Sequence, residues 1–390
     1  MTAPSLTPAD SRIDEELTDI SGSFRFLLDV TPTNIPEARA RFLADPATRP
    51  SFEYRPLGDT ADRIRARLAD VDVSAASDAA LTHLFTRKRS ELELQAEMLD
   101  ARGTDDFLPL SIELFGAVAP RLVAVAERIL GLVPPDPTPR SQCLDAAGVA
   151  DALRTAMDEY APLVAELRLS VHIRDDVAGV MVSNGQVLVA DTVAVSPTRL
   201  AGLIAHEIHT HVLTYINGSM QPLTLMAAGF AGYEESQEGL ALTAEVMVGG
   251  LTIGRLRQLA ARVVAVDALI QGAAFSEVHR VLVETHGYSA SGAFGITMRV
   301  FRSGGLTKDA GYLRGLRAMV QHSASGARLE DLWMGKLDLA DLPLVEQLKD
   351  QGLLTPPAVL PGFLTDRDAR DRMADFAETV GAHELIGAEK

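Results

Sequence analysis

Three of the nine histidines in this chain of 390 residues fall within six positions: His206, His209 and His211, with Glu207 directly after the first. The surrounding stretch, LIAHEIHTHVLTYI, repeats its apolar residues at helical spacing. Just upstream, Ser196-Pro197 offers an N-cap and a proline at the first helical position. Imidazoles on a helix, a carboxylate beside the first of them and an acidic helix downstream are the parts of a catalytic zinc site. Histidines that only pad a helix have no reason to gather in this way.

The spacing restricts how such a helix is built. At about 100° per residue, positions i and i+4 lie about 40° apart, whereas i and i+5 lie about 140° apart. His206 and His211 are five apart, so a regular helix cannot bring both rings to within about 2.1 Å of one ion. Either the helix widens between Glu207 and Thr210, as in a π-bulge, or the pair is His206 and His209 at i and i+3. Geometry alone leaves both pairs open.

A catalytic zinc takes three protein ligands and keeps a water. The third ligand is expected from YEESQEGLALTAEV, where Glu234, Glu238 and Glu245 share a helix face and Glu235 does not. Glu238 is the choice, because Gly239 and Ala241 beside it let this helix approach the first one closely. Glu207, next to a ligand without being one, is placed to act as general base in metal-assisted hydrolysis of an amide.

Composition restricts the partners. A net charge of −17, with basic residues scattered apart from Arg87-Lys88-Arg89, argues against nucleic acid or an anionic membrane as the main partner. The single cysteine, Cys143, excludes an internal disulfide and reads as an inert residue rather than a nucleophile. The first twenty residues lack a basic segment followed by an apolar one, and no apolar run is long enough to span a bilayer. The expectation is a cytoplasmic protein.

Along the chain, residues 1–12 read as a loose arm, 13–133 as an N-terminal helical region and 140–390 as the catalytic region, the last two forming either one continuous domain or two. Pro134 to Pro139 is the best internal boundary. Val180–Ser183 and Gln186–Val189 flank Asn184-Gly185, a two-residue hairpin signal, so a small antiparallel sheet is expected just before the histidine helix. Asn217-Gly218 is expected to stop that helix. The fold class is α+β, mostly helical.

HEIHTH, NGSMQPL and YEESQEGLA together resemble the bacterial QEGLA-motif proteins, once labelled flavohaemoglobin expression modulators. Their superfamily contains the microtubule-associated tyrosine carboxypeptidases. The strong match covers residues 200–241, and weaker texture extends to GLTKDAGYLRGL and GTDDFLPLSIELFG. The resemblance implies a zincin-like metallopeptidase core. It implies zinc on His206, His211 and Glu238 with Glu207 as base, and it tips the choice of the second histidine to His211.

A carboxypeptidase needs a cation for the terminal carboxylate of its substrate. Arg299, Arg302 and Lys308 lie close together in FGITMRVFRSGGLTKDAGYL and are the candidates, with Tyr312 as a further substrate-binding residue. Tyr312, Tyr288 and His286 are candidates to stabilise an oxyanion. The expected substrate is a peptide or protein C-terminal tail, with release of an aromatic residue and maturation of a peptide product in a bacterium as the implied setting. The rivals are a zinc endopeptidase or aminopeptidase, and a non-enzymatic regulatory protein stabilised by zinc.

Overall fold

The computed structural model describes residues 5–132, 140–160, 162, 167–177 and 179–379. The first helix, Pro8–Gly22, starts earlier than the pattern of apolar residues suggests. Thr7 and Asp10 form a reciprocal capping box, so the expected arm over 1–12 gives way to helix from Pro8 onward. From this helix the buried carboxylate of Asp14 accepts hydrogen bonds from the Thr224 and Leu225 amides at 2.6 and 3.1 Å. The N-terminal segment is thereby fixed to the loop that follows the histidine helix. One contiguous apolar core runs from Ile13 to Met373, through Leu81, Phe107, Leu213, Leu242, Val263 and Trp333. The boundary expected at Pro134 to Pro139 lies outside the described residues.

The architecture is α+β and mostly helical, with three short strands among the described residues. These are β1 (Ser170–Arg174), β2 (Val180–Ser183) and β3 (Gln186–Ala190). Asn184 and Gly185, at φ of 48° and 74°, make the expected tight turn between β2 and β3. The sheet is mixed rather than antiparallel, because β1 joins β3 in parallel and gives the order β1-β3-β2. β1 and β2 thus lie on opposite sides of β3. Among the described residues no single helix is long and apolar enough to cross a membrane.

The helix that starts at Pro197 runs past Asn217-Gly218 to Ser219. Asn217 is fully buried and serves as a staple. Its amide donates to the Trp333 and Val359 carbonyls, both at 2.8 Å, and its carbonyl oxygen accepts from Val359 N–H at 3.0 Å. Gly218 is there for space, since a Cβ would sit 2.4 Å from the Met226 carbonyl oxygen. The helix thus ends one residue after the expected stop at Asn217-Gly218, and both residues also serve close packing. A similar contact joins Tyr233–Met247 to Gly311–Ala324, where a Cβ on Gly239 would lie 2.3 Å from the Gly315 backbone.

Candidate active site

The turn of helix carrying the histidines is not α-helical. Residues Glu207–Val212 form a π-helical turn between the α-helices Pro197–His206 and Leu213–Ser219. This is the widening that the five-residue spacing requires if His206 and His211 are to face the same point. Side chains support the irregular backbone. Thr210 Oγ1 donates to the Ala205 carbonyl at 2.9 Å, and Thr214 Oγ1 donates to the Thr210 carbonyl at 2.8 Å. Trp333 Nε1–H donates to the His209 carbonyl at 2.7 Å.

His206 Nε2 and His211 Nε2 lie 3.3 and 3.8 Å from the same oxygen, Glu238 Oε2. The three donor atoms fall within 4.8 Å of one another. Tetrahedral bonds of about 2.1 Å would separate ligand atoms by roughly 3.4 Å, so this donor set fits a metal ion. His209 turns the other way, with its Nδ1 2.6 Å from the Tyr160 hydroxyl, which leaves His206 and His211 as the converging pair. Glu238 Oε2 is sealed from solvent and has no hydrogen-bond partner among the described residues. An oxygen in that state is costly unless a cation completes it.

The two imidazoles are oriented by different means. His206 Nδ1 faces the Glu245 carboxylate at 2.9 Å, and Arg199 Nη1 donates to the other oxygen of Glu245 at 2.5 Å. His211 Nδ1 faces the neutral amide oxygen of Gln237 at 3.4 Å. Gln237 is held in turn by Thr214 Oγ1 at 3.0 Å, and its own Nε2 donates to the Gly335 carbonyl. Within QEGLA, then, Gln237 steers a histidine, Glu238 faces both rings and Gly239 permits the helix contact. The roles of Gln237 and Arg199 left no signal in the sequence. Glu245 left a partial one through its shared face with Glu238.

Burial and charge set the protonation of the site. Burial raises the Glu207 carboxyl, the nearby Glu238 and Glu245 reinforce it against His206, and it reaches about 7. Its Oε2 is buried without a hydrogen-bond partner. Burial and the neighbouring His206 push His211 down to about 4, which keeps it neutral and able to offer a lone pair. Burial pulls His206 down as well, but Glu238 and Glu245 outweigh it and push it up to about 10. That value belongs to a carboxylate facing the imidazole directly, and a cation between them removes its cause.

Beside Glu238 opens a cavity of about 240 Å³, lined in part by Glu234, Lys308, Tyr312, Leu114, Phe115 and Arg314. Lys308 Nζ lies 3.6 Å from Glu234 Oε2 and 3.9 Å from Glu238 Oε1, so this cation already answers two carboxylates. Arg299 is clamped on Asp309, with Nε–Oδ2 of 2.5 Å and Nη2–Oδ1 of 2.8 Å. Arg302 donates from Nη1 to Thr31 Oγ1 at 2.6 Å. Of the residues expected to bind substrate, Lys308 and Tyr312 line the cavity. Tyr288 packs under the Arg257 guanidinium, 5.9 Å from its ring centroid, and His286 Nε2 faces Glu127 at 3.9 Å. Neither is brought to the cavity wall.

Among solved structures, a protein described as a lipoprotein from Colwellia psychrerythraea aligns over 82% of this chain and 66% of its own. It shares 15% identity, with a TM-score of 0.40. A lipoprotein of unknown function from Shewanella oneidensis aligns over 81% of this chain and 76% of its own, at 12% identity and a TM-score of 0.42. The chain thus spans just under two thirds of the first protein's length. No curated protein matches it. The sequence model of the microtubule-associated tyrosine carboxypeptidases matches residues 40–382, nearly the whole chain, and the protein belongs to that family.

Proposed function

We propose that this protein is a zinc-dependent carboxypeptidase that hydrolyses the last peptide bond of a peptide or protein tail. The observation that carries the reading is the convergence of His206 Nε2, His211 Nε2 and Glu238 on one point, with the unpartnered Glu207 carboxylate beside it. Membership of a carboxypeptidase family supports it. In this reading the π-helical turn and the QEGLA helix form a zincin-like core, and the edge strand β2, which packs on that turn, is available to pair with extended substrate.

His206, His211 and Glu238 would hold the ion. Bound Zn²⁺ supplies a Lewis acid that brings the pKa of its water to about 7 and polarises a carbonyl. Glu207, whose carboxyl burial raises and whose Oε2 has no hydrogen-bond partner among the described residues, would be the group that accepts a proton in this site and returns it to the leaving amine. Glu245 with Arg199, and Gln237 with Thr214, keep the two rings aimed. Lys308 neutralises Glu234 and Glu238 and keeps the cavity wall in place. Tyr312 presents a phenol whose pKa burial and Glu238 raise, so it stays a hydrogen-bond donor. Leu114 and Phe115 give the cavity an apolar wall suited to an aromatic side chain.

The test is zinc content together with C-terminal trimming of a peptide library, wild type against Glu207→Gln. We expect both proteins to retain about one zinc and the variant to lose trimming by about 10²–10⁴-fold. Trimming that survives the substitution would sink the mechanism. His211→Ala should lose the metal and His209→Ala should keep it. The reverse result would return the site to the i, i+3 pair.

A further inference from the structure

Five lysines and arginines are buried among the described residues: Lys88, Arg262, Arg302, Lys308 and Lys336. Four have an identifiable partner. Lys88 Nζ meets Glu91 at 2.7 Å, Arg262 Nε lies 3.6 Å from Asp309, Arg302 donates to Thr31, and Lys308 stands between Glu234 and Glu238. Lys336, 8% exposed, makes no ion pair or hydrogen bond at its Nζ among the described residues, and this Nζ, unlike Glu207 Oε2 and Glu238 Oε2, keeps a narrow contact with solvent. What surrounds the ammonium is two aromatic rings, with the centroids of Tyr215 and Tyr233 at 5.7 and 5.8 Å. Lysine is almost never buried unpaired, because its charge loses hydration and gains nothing in return.

The position is as informative as the missing partner. Tyr215 lies one turn beyond His211 on the histidine helix, and Tyr233 opens the QEGLA helix five residues before Glu238. The preceding Gly335 carbonyl accepts from Gln237, the residue that turns His211. Lys336 therefore stands between the two helices that carry the converging donors. Its backbone is pinned in place: its N–H donates to the Met226 carbonyl at 2.7 Å and its carbonyl accepts from the Phe230 N–H at 3.0 Å. The charged groups that act on it are Lys88 and Glu234, it acts in turn on His211, and no carboxylate lies within ion-pair distance of its Nζ among the described residues.

We propose that Lys336, flanked by Tyr215 and Tyr233, is a subsite for a carboxylate carried by the substrate. The inference rests on the peptidase reading and deepens it. A largely desolvated ammonium, flanked by two rings beside the metal-binding helices and still open to solvent at Nζ, gains from an arriving anion the partner that the fold withholds. The two tyrosine faces hold the cation in place while the subsite is empty. Two sources of the carboxylate are compatible with this chemistry: the terminal α-carboxylate, or an acidic side chain next to the scissile bond.

Calorimetric binding to the zinc-loaded Glu207→Gln protein, which does not turn substrate over, separates these sources. Four peptides would be used, with Glu or Gln at the penultimate position and each as free acid and C-terminal amide. Lys336→Met should weaken binding by roughly 10–100-fold for peptides bearing the recognised carboxylate and leave the others unchanged. Loss confined to free acids assigns the α-carboxylate. Loss confined to Glu peptides assigns the side chain. Lys336→Arg should restore part of the affinity. Equal weakening of all four peptides, or no change in any, overturns the subsite. The melting temperature supplies a second readout, because Met removes an unpaired buried charge and should leave the fold as stable or more so. A clear fall in melting temperature would show that Lys336 braces the fold, and would also overturn the proposal. Wild-type protein that binds these peptides through Lys336 yet cleaves none would overturn the peptidase reading alone.

Discussion

Two groups of buried charge in this protein are built on opposite plans. Around Asp309 the fold is closed: Arg299 grips both carboxylate oxygens and Arg262 approaches from the side. Around Lys336 it is open, with a cation and two aromatic rings but no anion. A closed ion cluster fixes the geometry of its neighbours, because removing one member strands the others without solvent. An open one is tolerated only where something outside the chain completes it. Charge that the fold satisfies internally is structural, and charge left unsatisfied near the donor set marks where a ligand belongs.

The largest expected effect comes from breaking the closed side. Asp309→Asn leaves the buried Arg262 and the partly exposed Arg299 without their carboxylate and should cost about 3 kcal/mol in urea unfolding at neutral pH. The same carboxyl predicts an acid limb. Burial would raise it, but Arg299 and Arg262 outweigh burial and hold it far below its ordinary 3.8. A group whose pKa is depressed by folding contributes stability that is full above its unfolded value and drains away as pH falls through that value toward the folded one. The gap in urea midpoint between wild type and Asp309→Asn should therefore narrow from about pH 4 downward. A gap that stays constant from pH 6 to 3 would mean that the Asp309 cluster is not a saturated ion group.

The next effect lies at His206, the imidazole with a closed backing of its own. Glu245→Gln keeps the shape of the side chain but removes the charge that sets the ring's tautomer, while Arg199 is left beside a neutral amide. Zinc affinity measured by competition with a chelator should fall about 10–100-fold. Gln237→Ala, which removes only a neutral and longer contact from His211, should fall by less. If Gln237→Ala is the more damaging of the two, the charged and neutral backings do not differ as the comparison requires.

Much of this centre is legible along the chain because its signals are local. His206, Glu207 and His211 lie within one turn and a half. Their spacing alone demands a widened helix if the outer pair is used, and the turn is π-helical. The tight turn at Asn184-Gly185 is likewise a two-residue event with a steric cause. What stayed hidden depends on contacts between distant segments. Asn217-Gly218 stands one residue before the helix end as its local signal suggests, but its buried contacts to Trp333, Val359 and Met226 carry no local sign. Arg299 looks available in sequence, since the Asp309 that engages it sits ten residues away across a Gly-Gly turn. Lys336 carries no local signal at all, for its meaning lies in the absence of a partner, and only the packed structure shows that.

The smallest effect tests the open side by pH. Burial pushes the Lys336 ammonium down from 10.5 to about 8. The sign is opposite to that at Asp309. Below pH 8 the lysine is charged in both folded and unfolded chains, and the fold bears the full cost of the buried ammonium. Between about pH 8 and 10.5 the folded protein sheds its proton first, so that cost lessens and wild type should gain stability relative to Lys336→Met. Urea midpoints of the two proteins at pH 7, 9 and 10 would show the difference closing, by about 1 kcal/mol or somewhat more once the aromatic contacts are allowed for. A saturating peptide that bears the recognised carboxylate should abolish this alkaline gain, because an anion at Nζ holds the proton in place. If the gain persists unchanged in the presence of every peptide that binds, Lys336 is buried and unpaired in the complex as well, and the open cluster is not a binding site.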